Sequence, residues 1–99
     1  MKISINGLNK AFESRIRLGI MSVLSVNDMI DFNALKEYLD LTDGNLASHL
    51  KALEKEEYIT VEKSFIGKKP NTKYLLTKVG KRAFDEHLKA LEQLIDSQK

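Results

Sequence analysis

Leu41-Thr42-Asp43-Gly44-Asn45-Leu46-Ala47-Ser48-His49-Leu50-Lys51-Ala52-Leu53-Glu54 is the stretch that decides the fold. Thr42 carries the hydroxyl of a helix N-cap, and Asp43 puts negative charge in the first turn, where the helix dipole favours it. Leu46, Leu50 and Leu53 recur at spacings of four and three, one apolar stripe on a helix running to about Glu56. Upstream, Phe32 to Leu39 reads as a short helix with Leu35 and Leu39 one turn apart. Asp40-Leu41-Thr42 is then a three-residue turn between two helices, which is helix-turn-helix spacing.

Working outward, Asn9 to Ser25 has helical periodicity, with Phe12, Ile16, Gly19, Ile20 and Val23 on one face. Leu18 and Met21 make its second half apolar nearly all round, so that half is expected to be covered on two sides. Gly19 marks either a close helix approach or a merely tolerated glycine. Asn27-Asp28 is a polar break. Beyond the turn, Tyr58 to Ile66 alternates as a strand, Gly67-Lys68-Lys69-Pro70-Asn71 reads as a loop, and Thr72 to Leu76 as the return strand. This hairpin is expected to be longer than a tight two-residue turn. Thr77 can cap a last helix from Lys78 to about Ser97, whose apolar stripe is wider than packing on one small domain requires.

The chain has 99 residues, no Cys and no Trp, which fits one domain of ordinary globular composition. Disulfide scaffolds, Fe-S proteins and cysteine-ligated zinc modules fail for lack of thiols. Met1 to Gly7 lacks the apolar run of a signal peptide, and no stretch approaches a membrane span, so a soluble cytoplasmic protein is expected. The net charge of +2 is too small to announce a nucleic-acid binder. Its distribution is more telling, since Lys63, Lys68, Lys69, Lys73, Lys78, Lys81 and Arg82 fall within 20 residues that hold no acid.

The order helix, helix, turn, helix, hairpin, helix, with a basic hairpin tip, resembles the winged helix-turn-helix regulators of bacteria and archaea, near the ArsR and MarR groups. The residues that carry the resemblance are Arg15-Ile16-Arg17-Leu18, the quoted stretch from Leu41 to Glu54, and Gly67-Lys68-Lys69-Pro70-Asn71-Thr72 with Tyr74-Leu75-Leu76-Thr77-Lys78-Val79-Gly80 after it. The resemblance covers about residues 12 to 95 and is nearest the small subgroup with a C-terminal dimerisation helix and no ligand domain. It implies a mainly α fold with a small β-hairpin: a winged helix-turn-helix domain over residues 9–77, with a dimerisation helix over residues 78–97 packed on it. Two features depart from the pattern. Family members usually carry Gly where Glu57 stands, and the wing has Lys where the subgroup often has Arg.

On the third helix, with the leucines turned inward, the opposite side presents Gly44, Ser48, Lys51 and Lys55, flanked by Asn45, Ala47 and Ala52. Short residues near the N-terminus and basic ones beyond it suit docking in a major groove. Asn45 and Ser48 can hydrogen-bond base edges, Gly44 permits close approach, and Lys51 and Lys55 can reach bases or phosphates. Thr42 at the helix start joins this set. A solvated helix face carries the same residue types, so the neighbouring basic hairpin decides for DNA. His49 sits beside the core stripe, either next to the DNA-facing surface or as a boundary histidine. The wing, residues 67–72, would set Lys68 and Lys69 at its tip, Asn71 and Thr72 behind them, and Lys63 and Lys73 on its arms, along phosphates or in the minor groove. A lysine-rich tip that merely keeps an edge soluble is the plainer alternative.

The wide last stripe and the apolar first helix point to a homodimer, with Phe12, Ile16, Ile20, Phe84, His87, Leu88, Leu91 and Ile95 as candidate interface residues. Some of these must serve the protomer core, and the sequence does not divide them. His87 in mid-stripe would make assembly pH-sensitive if two copies met, although a satisfied neutral histidine is the plainer reading. Nothing in the sequence supports an enzyme: two histidines 38 positions apart and no cysteine give no nucleophile-base pair, metal site or cofactor motif. Asp28 and Asp31 read as turn and cap residues. The expected function is a homodimeric, sequence-specific regulator on duplex DNA, with a recognition helix at about residues 43–56; no effector is legible. The alternative is a winged-helix protein-protein interaction module that does not bind DNA. RNA binding, without stacking aromatics on a sheet, ranks below both.

Overall fold

The computed structural model describes residues 4–98; Met1, Lys2 and Ile3 of the polar opening segment, and Lys99, lie outside the described residues. Four helices and a three-stranded antiparallel sheet follow in the order α1 (Arg15–Ser25), β1 (Ile30–Asp31), α2 (Phe32–Leu39), α3 (Asp43–Lys55), β2 (Ile59–Ile66), β3 (Lys69–Leu76) and α4 (Lys78–Asp96). The architecture is the mainly α, winged helix-turn-helix arrangement that the sequence implies. The described residues include no helix long and apolar enough to cross a membrane.

The first helix begins later than its periodicity predicts. Asn9 caps a single 3-10 turn over Lys10–Phe12, its side chain accepting the Ala11 N–H, and Ser14 then caps α1 by accepting the Arg17 N–H. Two side-chain acceptors five residues apart each offer the backbone a fresh start, so one continuous helix gives way to two segments. Asp31, Thr42 and Thr77 cap α2, α3 and α4 as their positions predict. The sequence reading missed β1, two residues that pair Ile30 with Tyr74 and Asp31 with Lys73 and make β3 the central strand. A two-residue strand leaves too little alternation to read.

Both helices of the central motif stop at a left-handed residue that is not glycine. After α2, Asp40 has φ 51, with its N–H on the Glu37 carbonyl and the Leu41 N–H on that of Lys36. After α3, Glu57 has φ 63, with its N–H on the Glu54 carbonyl and the Tyr58 N–H on that of Leu53. These are paired Schellman closures, normally made with Gly. The missing glycine therefore changes the cost of the α3 stop and not its geometry.

Phe12, Ile20, Met21, Leu24, Leu35, Leu46, Leu50, Leu53, Ile59 and Phe84 form one core, closed by all three helices of the motif, the sheet root and the near end of α4. Gly19 is a close approach: a Cβ there would lie 2.9 Å from Cδ2 of Leu39, so α1 and α2 meet at that point. The far half of α4 leaves this core. The molecule extends 60 Å along its long axis against 25 and 21 Å across, and its radius of gyration of 15.3 Å exceeds the ~13 Å usual at this length.

Candidate nucleic-acid interface

The outward side of α3 is set by its inward one. Leu46, Leu50 and Leu53 are buried, so Gly44, Asn45, Ser48, Lys51 and Lys55 stand exposed on the far side, with nothing within 4 Å of a Cβ built at Gly44. Thr42 is exposed as well, with its hydroxyl oxygen accepting the Asn45 N–H at the helix start. Lys36 of α2 meets Asp43 at 2.7 Å, an exposed pair across the turn worth a few tenths of a kcal/mol. The α3 N-terminus therefore faces solvent, with the short side chains of Thr42, Asp43, Gly44 and Asn45 exposed.

His49 sits half-buried at the edge of this face, and Arg17 of α1, to which sequence reading gave no role, fixes its state. The Arg17 Nε–H donates to His49 Nδ1 at 3.0 Å. Burial first, and the Arg17 charge second, hold the imidazole below its ordinary pKa of 6.5. With Nδ1 accepting, the ring proton sits on Nε2, and His49 presents a neutral N–H donor.

The hairpin is tighter than its composition predicts. Ile66 pairs with Lys69, leaving only Gly67 and Lys68 as the turn, and Gly67 at φ 63 takes the left-handed first position that a type II′ turn demands. Pro70 therefore lies in β3, on a stretch where β3 has only one neighbouring strand. There a residue without an N–H costs no ladder bond on its open side.

Register then sorts the wing residues by face, because directly paired residues point the same way. Ile59 with Leu76, Val61 with Tyr74, Lys63 with Thr72 and Phe65 with Pro70 share one face; Glu62 with Lys73, Ser64 with Asn71 and Ile66 with Lys69 share the other. The first face looks toward α3. Val61, Lys63 and Tyr74 line a groove of about 350 Å³ with Ala47, Leu50, Lys51 and Glu54. Burial, and then the negative charge of Glu54, push the Tyr74 hydroxyl above its ordinary pKa of 10.0. Lys63 and Thr72 thus point to the α3 side. Asn71, Lys69 and Lys73 occupy the opposite face, Lys73 across from Glu62. The run of seven cations in sequence is also two groups in space, since Lys78, Lys81 and Arg82 stand along α4 beside Asp85 and Glu86.

The candidate interface residues divide as well. Phe12, Ile20, Phe84 and His87 are buried within the protomer, whereas Leu88 and Ile95 are exposed and Ile16 and Leu91 are half-covered. His87 Nδ1 accepts the Asn9 backbone N–H at 3.0 Å, and its ring meets the edge of Phe12; the Asn9 amide in turn donates to the Tyr58 hydroxyl. His87 therefore ties the N-terminal segment to α4 inside one chain. The described residues contain no cluster of metal-ligating side chains.

A family model for the winged helix DNA-binding domain matches residues 16–95, most of the chain. The chain belongs to the winged helix DNA-binding domain family. An uncharacterized protein of Methanocaldococcus jannaschii is 39% identical over 85 residues, covering 86% of this chain and 92% of its own. The solved structure of a transcriptional regulator homologue from Pyrococcus horikoshii is similar over 96% of this chain and 99% of its own, with a TM-score of 0.79 and 31% identity. Bacillus subtilis PadR, solved in complex with operator DNA, shares the winged helix fold at a TM-score of 0.68 and 20% identity, over 76% of this chain and 48% of that one. A solved transcriptional regulator of the MarR family from Silicibacter pomeroyi shares the fold as well, at a TM-score of 0.64 and 17% identity over 93% of this chain and 57% of that one.

Proposed function

We propose that this winged helix chain is a cytoplasmic transcriptional regulator that binds duplex DNA sequence-specifically as a homodimer. Its α3 helix occupies the major groove, and the β2–β3 wing lies on the backbone or in the minor groove. The observation that carries this reading is a shared edge of two surfaces: Lys51, from the exposed face of α3, and Lys63, from the hairpin, line one groove. Gly44, Asn45 and Ser48 meet base edges, His49 adds a neutral Nε2–H donor, and Lys51, Lys55, Lys68 and Lys69 neutralise phosphates.

The dimer reading is supported by α4. Its near half is held by Phe84, His87 and Gly80, while Leu88, Leu91 and Ile95 fall at helical spacing on a segment with little protomer core beneath it. A second copy on this stripe would set two α3 helices about one DNA turn apart and match a pseudo-palindromic site. Light scattering should give twice the protomer mass at micromolar concentration; a monomer mass there overturns the dimer.

The DNA reading is tested by fluorescence anisotropy with a random-sequence duplex across a salt series. Replacing Lys68 and Lys69 together by Ala should weaken binding to every sequence and flatten the log-log salt slope by about 1.8, two phosphates' worth. Equal binding by the double variant removes the wing assignment, and no binding by the parent at low salt removes the DNA reading altogether.

A further inference from the structure

Phe65 is 74% exposed at the wing tip, and neither the core nor the lysine contacts account for it. It pairs across the hairpin with Pro70, on the face that runs through Lys63 and Thr72 down to the groove beside α3. Ile66, 67% exposed, belongs to the opposite face with Lys69. A protruding hairpin tip thus carries a rigid apolar pair on its α3-facing side and lysines around it. Minor-groove proteins use apolar wedges of this kind, Phe and Pro included, to press between base steps and bend the duplex.

We propose that the Phe65–Pro70 pair is an apolar wedge for the minor groove of duplex DNA, seated while α3 occupies the neighbouring major groove. The proposal rests on the DNA-binding reading above and adds the chemistry of the wing contact. Phe65 lies two residues beyond Lys63, the hairpin residue nearest the tip that lines the groove beside α3, about 7 Å further along the strand. With α3 seated in a major groove, a tip that extends beyond the shared groove lies toward the flanking phosphate ridge and the minor groove next to it. Lys63 shares the face of the pair, Lys68 stands in the turn beyond it and Lys69 on the opposite face. Cations so close to the tip match the phosphates that line a minor groove and repel an identical tip, which selects DNA over a second copy of the wing as the occupant.

The test compares Phe65→Ala, Phe65→Leu and Ile66→Ala with the parent, using anisotropy on a random-sequence duplex over a salt series and end-to-end energy transfer in a doubly labelled 30-base-pair duplex. Thermal melting checks that each variant folds. Phe65→Ala should lower affinity roughly tenfold at every salt concentration with the salt slope unchanged, the mark of an apolar contact. Phe65→Leu should retain most of the binding, and Ile66→Ala, on the other face, should stay within about twofold of the parent. The bend seen with the parent should shrink with Phe65→Ala. The wedge is overturned if Phe65→Ala binds and bends as the parent does, or if its loss appears as a changed slope. It is also overturned if Phe65→Ala abolishes a concentration-dependent self-association, which would mean that protein covers the tip. Failure of the parent to bind any duplex at low salt is a different outcome that removes the underlying DNA reading as well.

Discussion

Gly80 fixes the seat of α4, and Gly80→Ala should be among the most damaging single substitutions available outside the leucine stripe. A Cβ built at this position lies 2.0 Å from the carbonyl oxygen of Tyr58 and 2.7 Å from its carbonyl carbon, both backbone atoms. A close carbon-oxygen contact is about 3.3 Å, so α4 would have to retreat by roughly 1.3 Å. The same carbonyl accepts the Thr77 N–H at 3.0 Å, and the Thr77 hydroxyl reaches the Glu57 carbonyl at 2.7 Å while accepting the Gly80 N–H. Retreat breaks the first two of these, at about 1 kcal/mol each, on top of 1–3 kcal/mol for overpacking. The better helix propensity of Ala offsets about 1 kcal/mol. The net loss is about 2–4 kcal/mol, a large part of the ~5–15 kcal/mol that holds a domain folded. In urea, at ~1.5 kcal/mol per molar, the midpoint should fall by roughly 2 M. Gly44→Ala is the internal control. With nothing within 4 Å of its Cβ, it should gain up to about 1 kcal/mol from propensity alone. A Gly80→Ala midpoint within 0.3 M of the parent would show that α4 slides without penalty and refute the argument.

Glu57 holds a left-handed conformation at the end of α3, so Glu57→Gly should stabilise the chain by about 0.5–1 kcal/mol in urea unfolding, the strain relieved exceeding the entropy that Gly adds to the unfolded chain. No gain would mean that the Glu57 side chain contributes a compensating contact. His49, with its pKa held down in the fold, binds fewer protons folded than unfolded, so stability rises with pH across the window between that lowered value and the ordinary 6.5 and is lost as pH falls through it. Its ring resonances should titrate below 6.5, and Arg17→Gln should move that titration upward; an unmoved titration would leave burial as its whole cause.

The helix-turn-helix was legible because its signals are local. A Thr cap, a leucine stripe and a short turn each act within one or two helical turns, and α2 and α3 emerge at or within a residue of their expected bounds. The hairpin turn was misread because Pro70 looks like a loop residue by type, and only the open flank of β3 makes it admissible in a strand. The site was half legible for a related reason. Residue types identified the exposed face of α3, but the face on which each wing lysine lies depends on the parity of a two-residue turn, and a one-residue slip would exchange every side chain. The hold of Arg17 on His49 was invisible, since the two are 32 positions apart. The division of the apolar stripe depended likewise on Phe84 and His87 meeting Phe12, a contact between the two ends of the chain.

Tyr58 ties the proposed DNA face to the proposed dimer face. The Tyr58 carbonyl sits at the stop of α3, where the chain turns into the wing, and it carries α4 through Thr77 and the close approach of Gly80. The Tyr58 side chain meets Asn9, which in turn meets His87 on α4. The consecutive backbone carbonyls of Glu57 and Tyr58 thus join the end of α3, the root of the hairpin and the start of α4. An adjustment of α4 would reach the end of α3 through the Tyr58 carbonyl, the Thr77 hydroxyl and the Asn9 bridge to His87. If the proposed dimer forms on α4, the spacing of its two α3 helices is set through this joint, and Tyr58 substitutions that loosen it should weaken binding to a site of fixed half-site spacing.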